Sequence, residues 1–373
     1  LNISLELGEI IMDIKDLITK LEQLAPLDYA MDWDNCGVQV GKKEGKVTKI
    51  AIALSPTLEI IEKAIDNGCN ILLTHHPLIF KALKRIDTTK PIGKSIELAL
   101  KNDLLVYTLH TNFDSVSSGL NYTIAKDLGL DNIELLSTTK TIDKFKLVTY
   151  IPEEYTLNVL NALSEKGAGS IDKFTHKSYI TSGISTFHDT TLNKGEEFPS
   201  KDGEDKLEIT VDGNNLKNVL DTLKKVHPYE DFNYDLYKLE DKSLKVGIGT
   251  IGEFITPFTL KEVVENVKKV LKLNNFTYVG NSNKVINKVA ICTGSGSSFL
   301  DLAKNKGADL YITGDIKYHT AIDAKEIDIS LIDAGHHGTE IIAVPFLSKY
   351  IKENISKNIE IIELLEEDPF NWV

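Results

Sequence analysis

ILLTHHPLIF, residues 71 to 80, begins as an apolar run that reads as a buried strand and then breaks into two adjacent histidines and a proline. Neighbouring side chains within a strand point to opposite faces, so His75 and His76 can serve one site only from beyond the strand end. Pro77 disfavours helical geometry at His76 and cannot continue a β-ladder, which leaves both imidazoles projecting from a stiff turn. Two nearby metal ions would use both.

Working outward, residues 12 to 135 alternate helical and strand patterns: IKDLITKLEQLAP, KVTKIAIALSP, TLEIIEKAIDNGC, NILLTHHP, IGKSIELALKND and LLVYTLHTN. Such alternation specifies an α/β domain with a largely parallel sheet. The pattern returns after about residue 245, through TLKEVVENVKKVLKL, KVINKVAICTGSG, SSFLDLAKNKG, ADLYITGD, ISLIDAGHHG, TEIIAVPFLSKYIKEN and IEIIELLEED. Between them, from about 141 to 242, two strand-helix units flank a polar, turn-rich stretch, the pattern of a split β-α-β insert of ferredoxin-like type. The expected fold is therefore α/β: two similar halves, residues 12–136 and 245–373, forming one discontinuous domain interrupted by an α+β insert at 141–242.

With 373 residues the chain can bury a sizeable core without disulfides or a structural metal. Hydrophobic residues make up 42% and charged residues 26%, and no apolar run approaches the roughly 20 residues needed to span a bilayer, so no membrane association is expected. The opening LNISLELGEIIMDIKDL lacks a basic start and a small-residue cleavage site, so no export is read. Cys36, Cys69 and Cys292 are the only cysteines and never form CxxC, which argues against a disulfide framework or a thiolate zinc site and fits a reducing cytoplasm. A net charge of -13 without a basic, aromatic-interleaved stripe argues against nucleic acid.

Six of the nine histidines fall in four short segments: THHP (His75, His76), LHTNFD (His110, with Asp114), GDIKYHT (His319) and DAGHHGTE (His336, His337, with Glu340). Each segment lies at or just past the C-terminal end of an expected strand, the edge where open α/β sheets build ligand sites. In DAGHHGTE, His336 stands at i and Glu340 at i+4 of an expected helical turn, while His337 stands at i−3 from Glu340, so spacing leaves the ligand histidine open between the two. Asp114 follows His110 by four residues and adds a hard oxygen donor. The mixed nitrogen and oxygen set suits Zn, Mn, Fe, Co or Ni and disfavours Ca or Mg. His110 and His319 are alternatively groups that orient ligands from behind.

WDNCGVQVG (33–41), LLTHHPLIF (72–80), TLHTNFD (108–114), ITGDIKYH (312–319) and DAGHHGTE (333–340) occur in that order, and together they resemble the Nif-three-like dinuclear-metal family, also known as GTP cyclohydrolase type 2 homologues. The likeness runs from about residue 12 to 373, and the insert resembles the PII/CutA-like domain of the family's longer members. The resemblance implies that His76 and Asp114 bind one metal, His75 and His336 the other, and that Glu340 bridges them. Two divalent transition-metal ions per chain are thus expected, zinc foremost, with iron or manganese as alternatives. It further implies a ring-shaped homohexamer. Similar motifs carry an aromatic residue after the ligand histidine, where this sequence has His337.

A carboxylate-bridged metal pair about 3.5 to 4 Å apart activates water for attack on an electrophile, which makes metal-assisted hydrolysis the expected reaction class. The family label sharpens this to attack at C8 of a guanine nucleotide. Lys81, Lys84, Arg85 and Lys317 are the basic residues near the motifs that could meet a nucleotide or other phosphorylated small molecule. Backbone N–H groups of Gly294 to Ser298, in CTGSGSS, could cradle an anion, and Asp34 and Asn35 could line the pocket. Other readings are a phosphoesterase of different substrate, and a metal-binding regulatory or scaffold protein whose insert senses a ligand. His176, His188 and His227, in the insert, read as structural or interfacial, and Cys36 and Cys292 as small buried side chains.

Overall fold

The computed structural model describes residues 12–170, 174–187 and 200–371, so the first eleven residues of the opening stretch and His188 lie outside the described residues. The chain divides into two compact units, residues 1–139 with 246–373, and residues 140–245. Among the described residues no helix is long and apolar enough to cross a membrane.

The larger unit is mixed α/β with two sheets. In the first, strand order is Gly37–Val40, Leu105–Thr108, Ile71–Thr74, Lys49–Ala53, Glu360–Leu364. The last four are mutually parallel, and Gly37–Val40 runs antiparallel at the edge. Helices Ile14–Leu24, Leu58–Asp66 and Pro91–Lys101 each bury an apolar stripe. In the second, Val285–Ile291, Leu310–Thr313 and Ser330–Asp333 are parallel, flanked by the antiparallel strand Thr277–Val279 on one side and the end of Tyr234–Thr259 on the other. Helix Leu260–Leu271 begins with a capping box: Thr259 accepts from Glu262 N while the Glu262 carboxylate takes the Thr259 N–H.

The two halves are not separate along the sequence. Glu360–Leu364 pairs with Lys49–Ala53 of the first sheet, and Ala343, Val344, Leu347 and Ile351 are buried in the core formed by Leu17, Ile50, Ile52, Leu73 and Phe113. The stretch expected as the second half, 245–373, thus also supplies a strand and a helix to the first sheet and its core. The cause is the pattern of the last helix, whose apolar face fits the first core, so the chain's final strand completes the earlier sheet.

The smaller unit contains the antiparallel strands Ser178–Phe187 and Ser200–Asp212, the latter paired with Lys144 to Ile151, and helices Thr156–Ser164 and Gly213–Val226. Leu147, Ile151, Val159, Leu163, Leu207, Val219 and Leu223 form its core. His227 is buried, hydrogen-bonded through Nε2 to Tyr150 O at 3.0 Å and stacked on Phe232 at 3.9 Å, while His176 lies exposed beside Thr175.

Candidate metal centre

Three of the four histidine segments converge just beyond their strands. The pairing of Ile71–Thr74 continues into the histidines, since His75 N and His76 N donate to Ala53 O and Leu54 O. The chain turns at His76, whose carbonyl accepts from Thr74 Oγ1 at 2.8 Å. From there both imidazoles reach the Glu340 carboxylate, which rises from the short helix His336–Glu340 beyond Ser330–Asp333.

The two oxygens of Glu340 face different donors. Oε1 lies 3.7 Å from His75 Nε2, which lies 3.7 Å from Asp114 Oδ1. Oε2 lies 2.9 Å from His76 Nε2 and 3.0 Å from His336 Nε2. These distances pair the donors differently from the resemblance: His75 goes with Asp114, and His76 with His336. The reason is local, since each ring is turned by a bond at its far nitrogen. His75 Nδ1 donates to Leu109 O at 2.9 Å, His76 Nδ1 meets Ser55 Oγ at 2.9 Å, and His336 Nδ1 meets Asp315 Oδ2 at 2.7 Å. An imidazole anchored at Nδ1 by an oxygen and offering Nε2 inward is the usual arrangement of a metal-ligating histidine.

His75 Nε2 and Asp114 Oδ1 are buried without a hydrogen-bond partner. Buried polar atoms are nearly always satisfied, so two orphans facing each other mark a place built for a group that accepts lone pairs from both. The electrostatics agree. Burial opposes protonation of His75, but Asp114 and Glu340 outweigh it and push the imidazole up to about 9. Hydrogen bonding to Glu340 and the nearby Asp315 likewise raise His336 to about 9, whereas burial lowers His76. Burial pushes Asp114 up to about 6. The cluster thus draws in positive charge, as protons when nothing else supplies it, and its imidazole and carboxylate donors fit a divalent transition metal.

Gly294 explains how the carboxylate fits. Its φ is +64°, and a Cβ there would lie 2.1 Å from Glu340 Oε1. Of the five N–H groups expected to cradle an anion in CTGSGSS, two are taken within the chain: Gly294 N donates to Thr339 Oγ1 and Gly296 N to Thr313 Oγ1. Gly294 makes room for Glu340.

The GDIKYHT segment contributes Asp315, not His319. His319 is exposed on helix Tyr318–Glu326, against Tyr318, while Asp315 sits past the strand end with φ +58° and holds His336. His110 stands within ligand reach of His75 and His76, its Nδ1 held at 2.8 Å by Asp34. Burial raises the Asp34 carboxyl, but bonds from His110 and Thr111 outweigh it and leave Asp34 well below the usual carboxylate range. His337 turns away and bonds Glu366 O through Nε2 at 2.9 Å, while the Glu366 carboxylate accepts from Leu54 N and Ser55 N. Sequence reading missed Ser55, Asp315 and Glu366. Only Asp315 carried a signal, its place in a segment already chosen for its histidine. Cys36, Cys69 and Cys292 are free, and burial pushes the thiols of Cys36 and Cys292 up to about 12, so neither supplies a thiolate.

Beside His76 and His336 opens a cleft of about 590 Å³, whose lining includes Asp315, Asp333, Asp368 and Phe370.

An α/β scaffold that gathers imidazoles and carboxylates from four strand ends around one buried glutamate defines a candidate metalloprotein. Residues 12–369 match the family described as Duf34/NIF3 (NGG1p interacting factor 3), and the chain belongs to that family. It is 34% identical over 333 residues to a Bacillus subtilis (strain 168) protein named GTP cyclohydrolase 1 type 2 homolog, covering 88% of this chain and 89% of that one. A Halalkalibacterium halodurans protein of the same name is 33% identical over 370 residues, covering 96% and 98%. The crystal structure of a Bacillus cereus protein related to NIF3 superposes with a TM-score of 0.81 at 34% identity, over 97% of this chain and all of the other. Staphylococcus aureus protein SA1388 gives 0.71 at 30% identity, over 97% and 99%.

Proposed function

We propose that this chain is a dinuclear metal-dependent hydrolase of GTP cyclohydrolase type, with a purine nucleotide as substrate. The observation that carries the reading is the division of Glu340, one oxygen toward His75 and Asp114, the other toward His76 and His336. On this reading His75, Asp114 and Glu340 hold one ion, and His76, His336 and Glu340 the second. Divalent ions held there supply Lewis acidity and lower the pKa of water.

The chain's own residues supply orientation and access. Leu109 O, Ser55 and Asp315 fix the three rings. Gly294 lets the carboxylate lie against the second sheet. The cleft beside His76 and His336 provides room for a small molecule. The relatives' name supports the nucleotide part of the proposal. The strands and two helices of residues 140–245 support reading that unit as the ferredoxin-like, PII/CutA-like insert, and a cytoplasmic toroidal hexamer completes the proposal.

The test is elemental analysis of protein stripped of metal and reconstituted with zinc or manganese, followed by incubation with GTP and mass detection of products. Two ions per chain and formate release are expected. Two ions with no nucleotide turnover would overturn the cyclohydrolase reading, and failure to bind any ion would overturn the metal centre itself.

A further inference from the structure

Trp33 and Phe80 are large aromatic side chains left 58% and 49% exposed. They meet edge to face with centroids 5.8 Å apart, and each also meets His110 edge-on, at 6.2 and 6.5 Å. His110 in turn stands within ligand reach of His75 and His76, so the exposed rings border the centre.

The loops that carry them are fastened to each other. Asn35 Nδ2 donates to Ile79 O at 2.7 Å, Ile79 N donates to Gln39 Oε1 at 3.1 Å, and Gln39 Nε2 donates to Asn35 O at 2.7 Å, with Gln39 buried. Asp34, next to Trp33, is held by His110 and Thr111. Both rings are therefore attached to backbone that is locked on its inner side and free on its outer side. A rigid exposed aromatic surface loses little entropy when a flat partner stacks on it.

The residues that follow Phe80 indicate what such a partner carries. Lys81, Lys84 and Arg85 are all exposed, and among the described residues none of them forms an ion pair. In a chain of net charge -13, the segment 81–86 that follows the exposed ring carries three unpaired cations and no carboxylate, which favours an anionic group there.

We propose that Trp33 and Phe80 form the ring subsite of the centre, taking a planar heteroaromatic ring whose phosphate is received by Lys81, Lys84 and Arg85. The proposal rests on reading the centre as a small-molecule site, and goes beyond it by naming the residues that select the ligand.

The full chain contains two tryptophans, so Trp372→Phe leaves Trp33 as sole reporter. Metal-loaded protein of this background is titrated with AMP, GMP, CMP and UMP, their nucleosides and inorganic phosphate, following Trp33 emission. Saturable quenching by the purine monophosphates is expected, with weaker quenching by nucleosides and none by phosphate. Phe80→Leu keeps apolar bulk but removes the π face, and should weaken the nucleotide about tenfold. Lys84→Gln with Arg85→Gln should weaken nucleotides but not nucleosides and flatten the salt dependence. Absence of quenching by all four nucleotides at millimolar concentration, or quenching unaltered by Phe80→Leu, would overturn the subsite. So would a Trp33 emission that shifts with protein concentration alongside dissociation of an oligomer by Phe80→Leu, since a second copy of the chain would then cover the rings. Metal content measured on the same samples separates the two failures: ions bound without quenching removes only the subsite, whereas no ions removes the reading beneath it.

Discussion

The two sides of Glu340 differ in access to water. His75 is fully buried and faces the nearly buried Asp114, whereas His76 and His336 have side chains 25% and 37% exposed and border the cleft. A site enclosed by protein favours a permanently held ion, and one with an open side leaves room for exchange of ligand. One carboxylate thus joins an enclosed environment to an open one.

The strongest way to break this comparison is Glu340→Gln, which keeps the shape but removes the charge both sides share. Affinity should fall at least about 100-fold on each side, and elemental analysis should read less than one ion per chain in place of two. Retention of two ions at parental affinity would mean that Glu340 is not the bridge.

Next in size are the paired substitutions His75→Ala and His76→Ala, each of which should empty its own side. His75→Ala also strips Asp114 and Glu340 of a buried partner, so the metal-free protein should lose on the order of 3 kcal/mol in denaturant unfolding. His76→Ala, at a partly exposed position, should cost clearly less. Equal losses would erase the distinction between enclosed and open sides.

Asp315→Asn tests orientation alone. It leaves every donor in place but weakens the hold on His336 Nδ1, so affinity on the open side should drop about 10- to 100-fold while the buried side is unchanged. Competition with a chromophoric chelator resolves the two.

A last test of the comparison is pH. His75 and His336 are raised in the folded chain to about 9, above the ordinary histidine value, so their stabilisation is present in full below about 6.5 and is lost as pH rises through 9. Metal-free protein should therefore melt at progressively lower temperature across that window, and metal-loaded protein should not. Differential scanning fluorimetry of both forms checks the difference.

The parallel strands and the gathering of histidines at their ends were legible because each apolar run is short, continuous and closed by a turn, as in ILLTHHP. Spacing could not assign which donor faces which. That depends on bonds at the far side of each ring, from Leu109 O, Ser55 and Asp315, and backbone carbonyls and lone hydroxyls leave no pattern. The return of Glu360–Leu364 to the first sheet was equally hidden, because an apolar strand fits any open parallel edge and only the packing of Ala343 to Ile351 decides between them. CTGSGSS was ambiguous for a related reason: small residues admit an anion or a neighbouring side chain equally well, and at Gly294 it is Glu340 that takes the space.

The bond from Leu54 N to Glu366 closes a loop of 312 positions beside the strand that Glu360–Leu364 must complete. At ribosomal speeds of about 5 to 20 residues per second, the edge of Lys49–Ala53 waits about 15 to 60 s for its partner. Throughout that interval the nascent chain carries an unpaired parallel edge, the kind of surface that recruits other strands. Synthesis of this protein is consequently a period of exposure to misassembly, and the closing strand is also what ends it.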